Sequence, residues 1–139
     1  MGERGLIRNR EHFESSLPAG FDGVFEWDFL NGAWGQTKIQ PMDIDGMVER
    51  FGHFLVFETK KNETVPIPVG QRITLEALVR TKLFVVIVLY GKTADTINTF
   101  EIWRMVNGVV DKKTHLGNSN DVWQWANKWF RWASRKKAA

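Results

Sequence analysis

The spacing of apolar and polar residues changes period several times along the chain, and each change marks an element. Arg8 to Leu17 suits a short helix stopped by Pro18-Ala19-Gly20. Phe21 to Leu30 sets apolar residues between acids, which predicts a strand turned at Asn31-Gly32, with a loop over 32–42. Ile44 to Glu49 and His53 to Lys60 predict two strands joined by a tight hairpin through Arg50-Phe51-Gly52. A loop with two prolines, Lys61 to Pro68, leads into a helix over Gly70 to Arg80. Leu83 to Tyr90 is an uninterrupted aliphatic run, the sign of a strand covered on both faces. Ile97 to Val106 predicts another strand, turned at Asn107-Gly108. Ser119 or Asn120 caps a final helix, at about 120–135, whose Val122, Trp125, Ala126, Trp129 and Ala133 share a face. This order predicts an α/β fold: a central mixed β-sheet flanked by helices, as a single domain over residues 1–139.

Composition narrows the class. With 43% hydrophobic and 25% charged residues the chain is globular in profile. Its longest apolar run falls short of the roughly 18 to 20 residues a spanning helix needs. There is no apolar stretch near Met1 of the kind a secretory signal carries, so no membrane role and a cytoplasmic location are expected. The absence of cysteine excludes disulfides and thiolate metal sites. The net charge of +3 is uneven. Residues 1–121 hold 14 basic and 16 acidic side chains, whereas the last 18 add Lys128, Arg131, Arg135, Lys136 and Lys137 and no acid. A basic C-terminal element on a mildly acidic body suits a polyanionic partner held from one side; it equally suits a solvated tail.

The chemistry concentrates where the second hairpin strand, apolar through Phe54-Leu-Val-Phe57, ends in Glu58-Thr59-Lys60. Residues two apart on a strand share a face, so Glu58 and Lys60 point together and Thr59 points away. Across the hairpin Asp45 comes beside Glu58, and Asp43, on the same strand face, is an alternative. Mg²⁺, or Mn²⁺ in its place, takes oxygen ligands, usually one or two carboxylates with water and substrate phosphate. Asp45, Glu58 and the backbone carbonyl of Thr59 supply such oxygens. A Lys beside a metal-bound water orients the nucleophile or stabilises developing charge. An ordinary strand-end ion pair uses the same Glu and Lys, but three clustered acids are unfavourable unless a cation lies between them.

Asp45 followed by Glu58-Thr59-Lys60 at the close of an apolar strand resembles the PD-(D/E)xK nuclease superfamily, which includes restriction enzymes, Holliday-junction resolvases and phage exonucleases. The likeness extends over roughly residues 8–106. Gln71 opens the helix after the Lys strand, as a Gln does in many members, and Leu83 to Tyr90 matches the next core strand. The proline departs from the pattern, lying four positions before Asp45. The resemblance implies a restriction-endonuclease-like core with Asp45, Glu58 and Lys60 catalytic, Gln71 supporting, and a further acid, Glu11 or Glu14, from an N-terminal helix. It implies a Mg²⁺-dependent deoxyribonuclease of a small phage or mobile-element type, cutting branched or nicked DNA. By analogy with small resolvases it implies a homodimer, working in a bacterial or phage-infected cell. Lys38, Lys61, Arg72, Lys128 and Arg131 are candidate phosphate contacts. The rival is a nuclease-like module that binds nucleic acid or a protein without cutting.

Other features carry less. His12, His53 and His115 have no metal-ligand spacing and read as packing or surface residues. No Gly-rich phosphate loop or serine elbow is present, which argues against ATP, NAD and serine hydrolysis. Trp123, Trp125, Trp129 and Trp132 crowd the final helix and cannot all face one stripe. Most suit the core, and the remainder suit a dimer interface or stacking on unpaired bases.

Overall fold

Two-residue turns with positive φ at both central positions close two of the hairpins. Phe51 (φ 49°) and Gly52 (φ 85°) join β1 (Gly46–Arg50) to β2 (His53–Lys60), and Asn107 (φ 50°) and Gly108 (φ 81°) join β4 (Thr99–Val106) to β5 (Val109–Leu116). This backbone hand matches the twist of the strands it connects. Between the hairpins the chain crosses over through α1 (Val69–Arg80) to β3 (Phe84–Tyr90), and it ends in α2 (Ser119–Arg135). The computed structural model describes residues 25–136, so the predicted helix over Arg8–Leu17 and the start of the predicted Phe21–Leu30 strand lie outside the described residues.

The chain divides into two compact units between Pro41 and Met42. In the first, the expected strand is not formed over 25–30: Asp28–Leu30 make a 3₁₀ turn. Phe25, Trp27 and Phe29 gather there, with ring centroids 4.9 to 6.3 Å apart. Clustering of alternate aromatics on a tight turn produces the same two-residue spacing in sequence that a strand does.

The second unit is a five-stranded mixed sheet in the order β1-β2-β3-β4-β5, with β2 and β3 parallel and the other pairs antiparallel. The predicted α/β class therefore holds. Alternation along the strands sends two sets of side chains to two helices. Val56, Val86, Val88 and Trp103 pack with Leu75 and Val79 of α1. Leu55, Ile87, Phe100 and Ile102 pack with Val122, Trp129 and Ala133 of α2. β3 is accordingly covered on both faces. β5 was not expected from the sequence: its Asp-Lys-Lys-Thr stretch belongs to an edge strand with much of its surface in solvent, where apolar alternation is weak. The final helix begins one cap earlier than predicted. Asn118, not Ser119 or Asn120, accepts from the backbone N–H groups of Asn120 and Asp121, and Asp121 returns the bond to the Asn118 N–H. Among the described residues no helix is long and apolar enough to cross a membrane.

Two glycines separate backbone strain from packing. A Cβ at Gly108 or at Gly70 meets nothing within 4 Å, yet only Gly108 has positive φ. Gly108→Ala is expected to lower stability by about 1–2 kcal/mol, and Gly70→Ala, in the first turn of α1, to raise it by about 0.5–1 kcal/mol. Thermal unfolding of the two variants checks this through the opposite signs of their Tm shifts.

Candidate functional site

Glu58 is 1% exposed, the one buried carboxylate among the described residues. It reaches that position because β2 alternates: Leu55 and Phe57 face α2, and Val56, Glu58 and Lys60 face α1. A carboxylate buried among valines needs hydrogen bonds to offset its lost hydration. One comes from Gln71 in the first turn of α1, whose Nε2 donates to Glu58 Oε2 at 2.7 Å. The other end of the same amide, Oε1, accepts from Lys60 Nζ at 2.9 Å. Gln71 thus bridges the acid and the base, and each amide atom faces the charge it suits. Glu58 Oε1 is buried without a partner among the described residues.

The strand register supplies the second acid. Gly46 pairs with Phe57, and one step further sets Asp45 opposite Glu58. Asp45 Oδ2 accepts from the Thr59 backbone N–H at 2.8 Å and from Thr59 Oγ1 at 2.9 Å. The Thr59 side chain, expected only to face away, thereby helps to pin Asp45. In a strand the N–H and C=O of one residue point to the same edge, so the Thr59 carbonyl also faces the Asp45 side. Asp45 rather than Asp43 is the acid whose charge acts on Glu58. Burial, and then the Asp45 charge, push the Glu58 carboxyl from 4.5 up to about 7, while the Lys60 ammonium opposes them.

Among the described residues no three His, Cys, Asp or Glu side chains gather in a way that could hold a metal ion. The donor set at Glu58 is instead two carboxylates and a carbonyl, all oxygen, with one buried carboxylate oxygen unsatisfied. That set fits a hard divalent cation completed by water and phosphate. Glu11 and Glu14 lie outside the described residues, and Lys38 belongs to the first unit. Lys61 follows Lys60 on the exposed chain, and Arg72 follows Gln71, paired with Glu76 at 3.4 Å. Lys128 and Arg131 are not brought to this patch: they lie on α2, which packs on the opposite face of the sheet.

The candidate site has neighbours that sequence reasoning missed. Tyr90, paired with Lys60 in register, donates to Glu101 Oε2 at 3.0 Å, and Trp103 Nε1 donates to Glu101 Oε1 at 2.8 Å. Burial and the Glu101 charge raise the Tyr90 hydroxyl above its ordinary value. Thr99 donates to Glu63 beside them. The available signal is a single acid, Glu101, between the apolar Phe100 and Ile102 of the Thr99–Val106 strand. His53 faces α2, where it bonds the Lys136 carbonyl and packs on Trp132 with ring centroids 4.6 Å apart. It is a packing residue, as the sequence suggested.

Comparison of the chain with protein-family models, curated proteins and solved structures found no match.

The raised Glu58 carboxyl makes stability depend on pH. Between pH 4.5 and 7 the folded protein keeps a proton on Glu58 that the unfolded chain has released. The associated stabilisation, roughly 3 kcal/mol, is complete below 4.5 and is lost as pH rises through 7. In EDTA, urea unfolding of the wild type is expected to show this loss between pH 5 and 8. Glu58→Gln, which stays neutral, should show a flatter profile and greater stability at pH 8. A wild-type stability that rises across that window contradicts the assignment.

Proposed function

We propose that this chain is a metal-dependent endonuclease of the PD-(D/E)xK kind that hydrolyses DNA phosphodiester bonds, on a restriction-endonuclease-like core. The observation that carries the reading is the buried Glu58, with one unsatisfied oxygen, set beside Asp45 and tied through Gln71 to Lys60. Asp45, Glu58 and the Thr59 carbonyl would hold Mg²⁺ or Mn²⁺. When bound there, the ion polarises the scissile phosphate and makes its water a stronger nucleophile at neutral pH. Lys60 keeps its ammonium on that face, held by Gln71, where it orients the attacking water and stabilises charge developing on the phosphate. Lys61 and Arg72, beside the site in the chain, contact flanking phosphates without reading sequence.

By its likeness to resolvases of that superfamily, the proposed substrate is branched or nicked DNA, in a phage or mobile-element setting. Cutting both strands calls for two sites, which favours a homodimer. One observation supports the rival reading of a binding module that does not cut: a neutral Glu58 hydrogen-bonded to Gln71 closes much of the network without a metal.

Cleavage decides between them. With Mg²⁺ or Mn²⁺, the protein is expected to cut supercoiled plasmid and a four-way DNA junction. Asp45→Ala, Glu58→Ala and Lys60→Ala should each lose about 10²-fold or more in rate. A wild type that cuts neither substrate, or variants that cut as fast as it does, would overturn the reading.

A further inference from the structure

On the other side of the sheet, α2, the start of β3 and the α2-facing residues of β4 line an open-mouthed cavity of about 520 Å³. That volume is typical of ligand pockets. Its walls include Trp125, Trp129 and Trp132, and its polar rim includes Lys82, Arg104 and Lys128. Among the described residues no acidic side chain lines it. The cations are organised around the aromatic wall: Arg104 and Lys128 lie over the Trp125 ring, at 5.7 and 5.2 Å from its centroid. Trp129, 8% exposed, holds its indole N–H buried without a hydrogen-bond partner among the described residues. Flat aromatic walls beside three positive charges match a planar base joined to a phosphate.

We propose that this cavity binds unpaired nucleotides of single-stranded DNA. The proposal rests on the nuclease reading only in taking DNA as the partner. The cavity opens where β3 begins, near Phe84, whereas Lys60 and Tyr90 lie at the far end of the parallel pair. The six residue steps from Phe84 to Tyr90 span about 20 Å, and the two sites use opposite faces of the sheet. The cavity therefore anchors an unpaired strand away from the Glu58 patch, and this gives the tryptophan-rich basic helix its role. A second copy of the same surface is disfavoured as occupant, because a two-fold contact would set its three cations against their equivalents.

The test is fluorescence anisotropy of a labelled 15-nucleotide oligo-dT with the full chain in EDTA, where metal-dependent cleavage is off. The wild type is expected to bind, and more weakly as salt rises. Trp125→Ala should raise Kd by about 5- to 150-fold. The double variant Arg104→Glu/Lys128→Glu alters only exposed side chains. It should weaken binding and make the slope of log K against log salt shallower by about 1.4 or more. No wild-type binding, or wild-type Kd in the double variant, overturns the proposal. So does competition by polyglutamate as strong as by unlabelled oligo-dT, or a dimer that the double variant dissolves in sedimentation. Tight oligonucleotide binding without Mg²⁺-dependent cleavage sinks the nuclease reading alone, and cleavage with unaltered binding in the variants sinks this one alone.

Discussion

A carboxylate cannot be held in an apolar interior without compensation, and Glu58 is almost wholly excluded from solvent. Three things around it answer that constraint. Gln71 satisfies one oxygen, Lys60 places a positive charge on the same face, and the raised pKa lets the group take a proton near neutrality. None of the three satisfies the second oxygen. Asp45, pinned by Thr59, adds negative charge that outweighs the relief its backbone N–H brings to Glu58. An arrangement this strained is costly as mere architecture, because a nonpolar residue at position 58 would pack against Val56 and Val88 without it. A cation held between the two acids, as proposed, would offset both charges.

The fold makes the arrangement possible through one connection. β2 and β3 run parallel, so the chain must cross over between them, and α1 supplies the crossover. The helix starts beyond the carboxyl end of β2, which brings Gln71 over Glu58 and Lys60. Ligand sites in open α/β sheets gather outside the carboxyl ends of parallel strands for the same reason. The hairpin before β2 then sets Asp45 at the adjacent edge. Tyr90 and Glu101 extend the polar surface across the next two strands. α2 closes the other face, where His53 and Arg50 tie its end to the first hairpin through Lys136 and Ser134.

Much of this could be read in the sequence wherever local pattern and tertiary context agree. The apolar run into Glu-Thr-Lys defined β2, and period two placed Glu58 and Lys60 together. The hairpin turn then gave a register that pointed to Asp45. Patterns failed where the local signal belonged to something else. The aromatic spacing before Leu30 serves a 3₁₀ cluster, and the polar β5 is held by pairing with β4 instead of by its own burial. Asn118 lay outside the expected cap positions because Gly117 and Asn118 precede the apolar periodicity of α2. The Thr59 hydroxyl contact and the Gln71 bridge are details of rotamer and distance, which spacing does not encode. The cation-rimmed cavity joins residues from α1's end, β4 and α2, a set that only the folded sheet assembles.

The claim that two acids and a carbonyl form a divalent cation site is tested most directly by calorimetric titration with Mn²⁺ in buffers of different ionisation enthalpy. A metal-bound Glu58 must give up its proton, so binding is coupled to proton release. The wild type is expected to release about one proton per ion at pH 6 and almost none by pH 8.5, with affinity rising over that range. Asp45→Asn and Glu58→Gln should both lose the binding. Wild-type binding without proton release at pH 6, or undiminished binding in Glu58→Gln, would contradict the account.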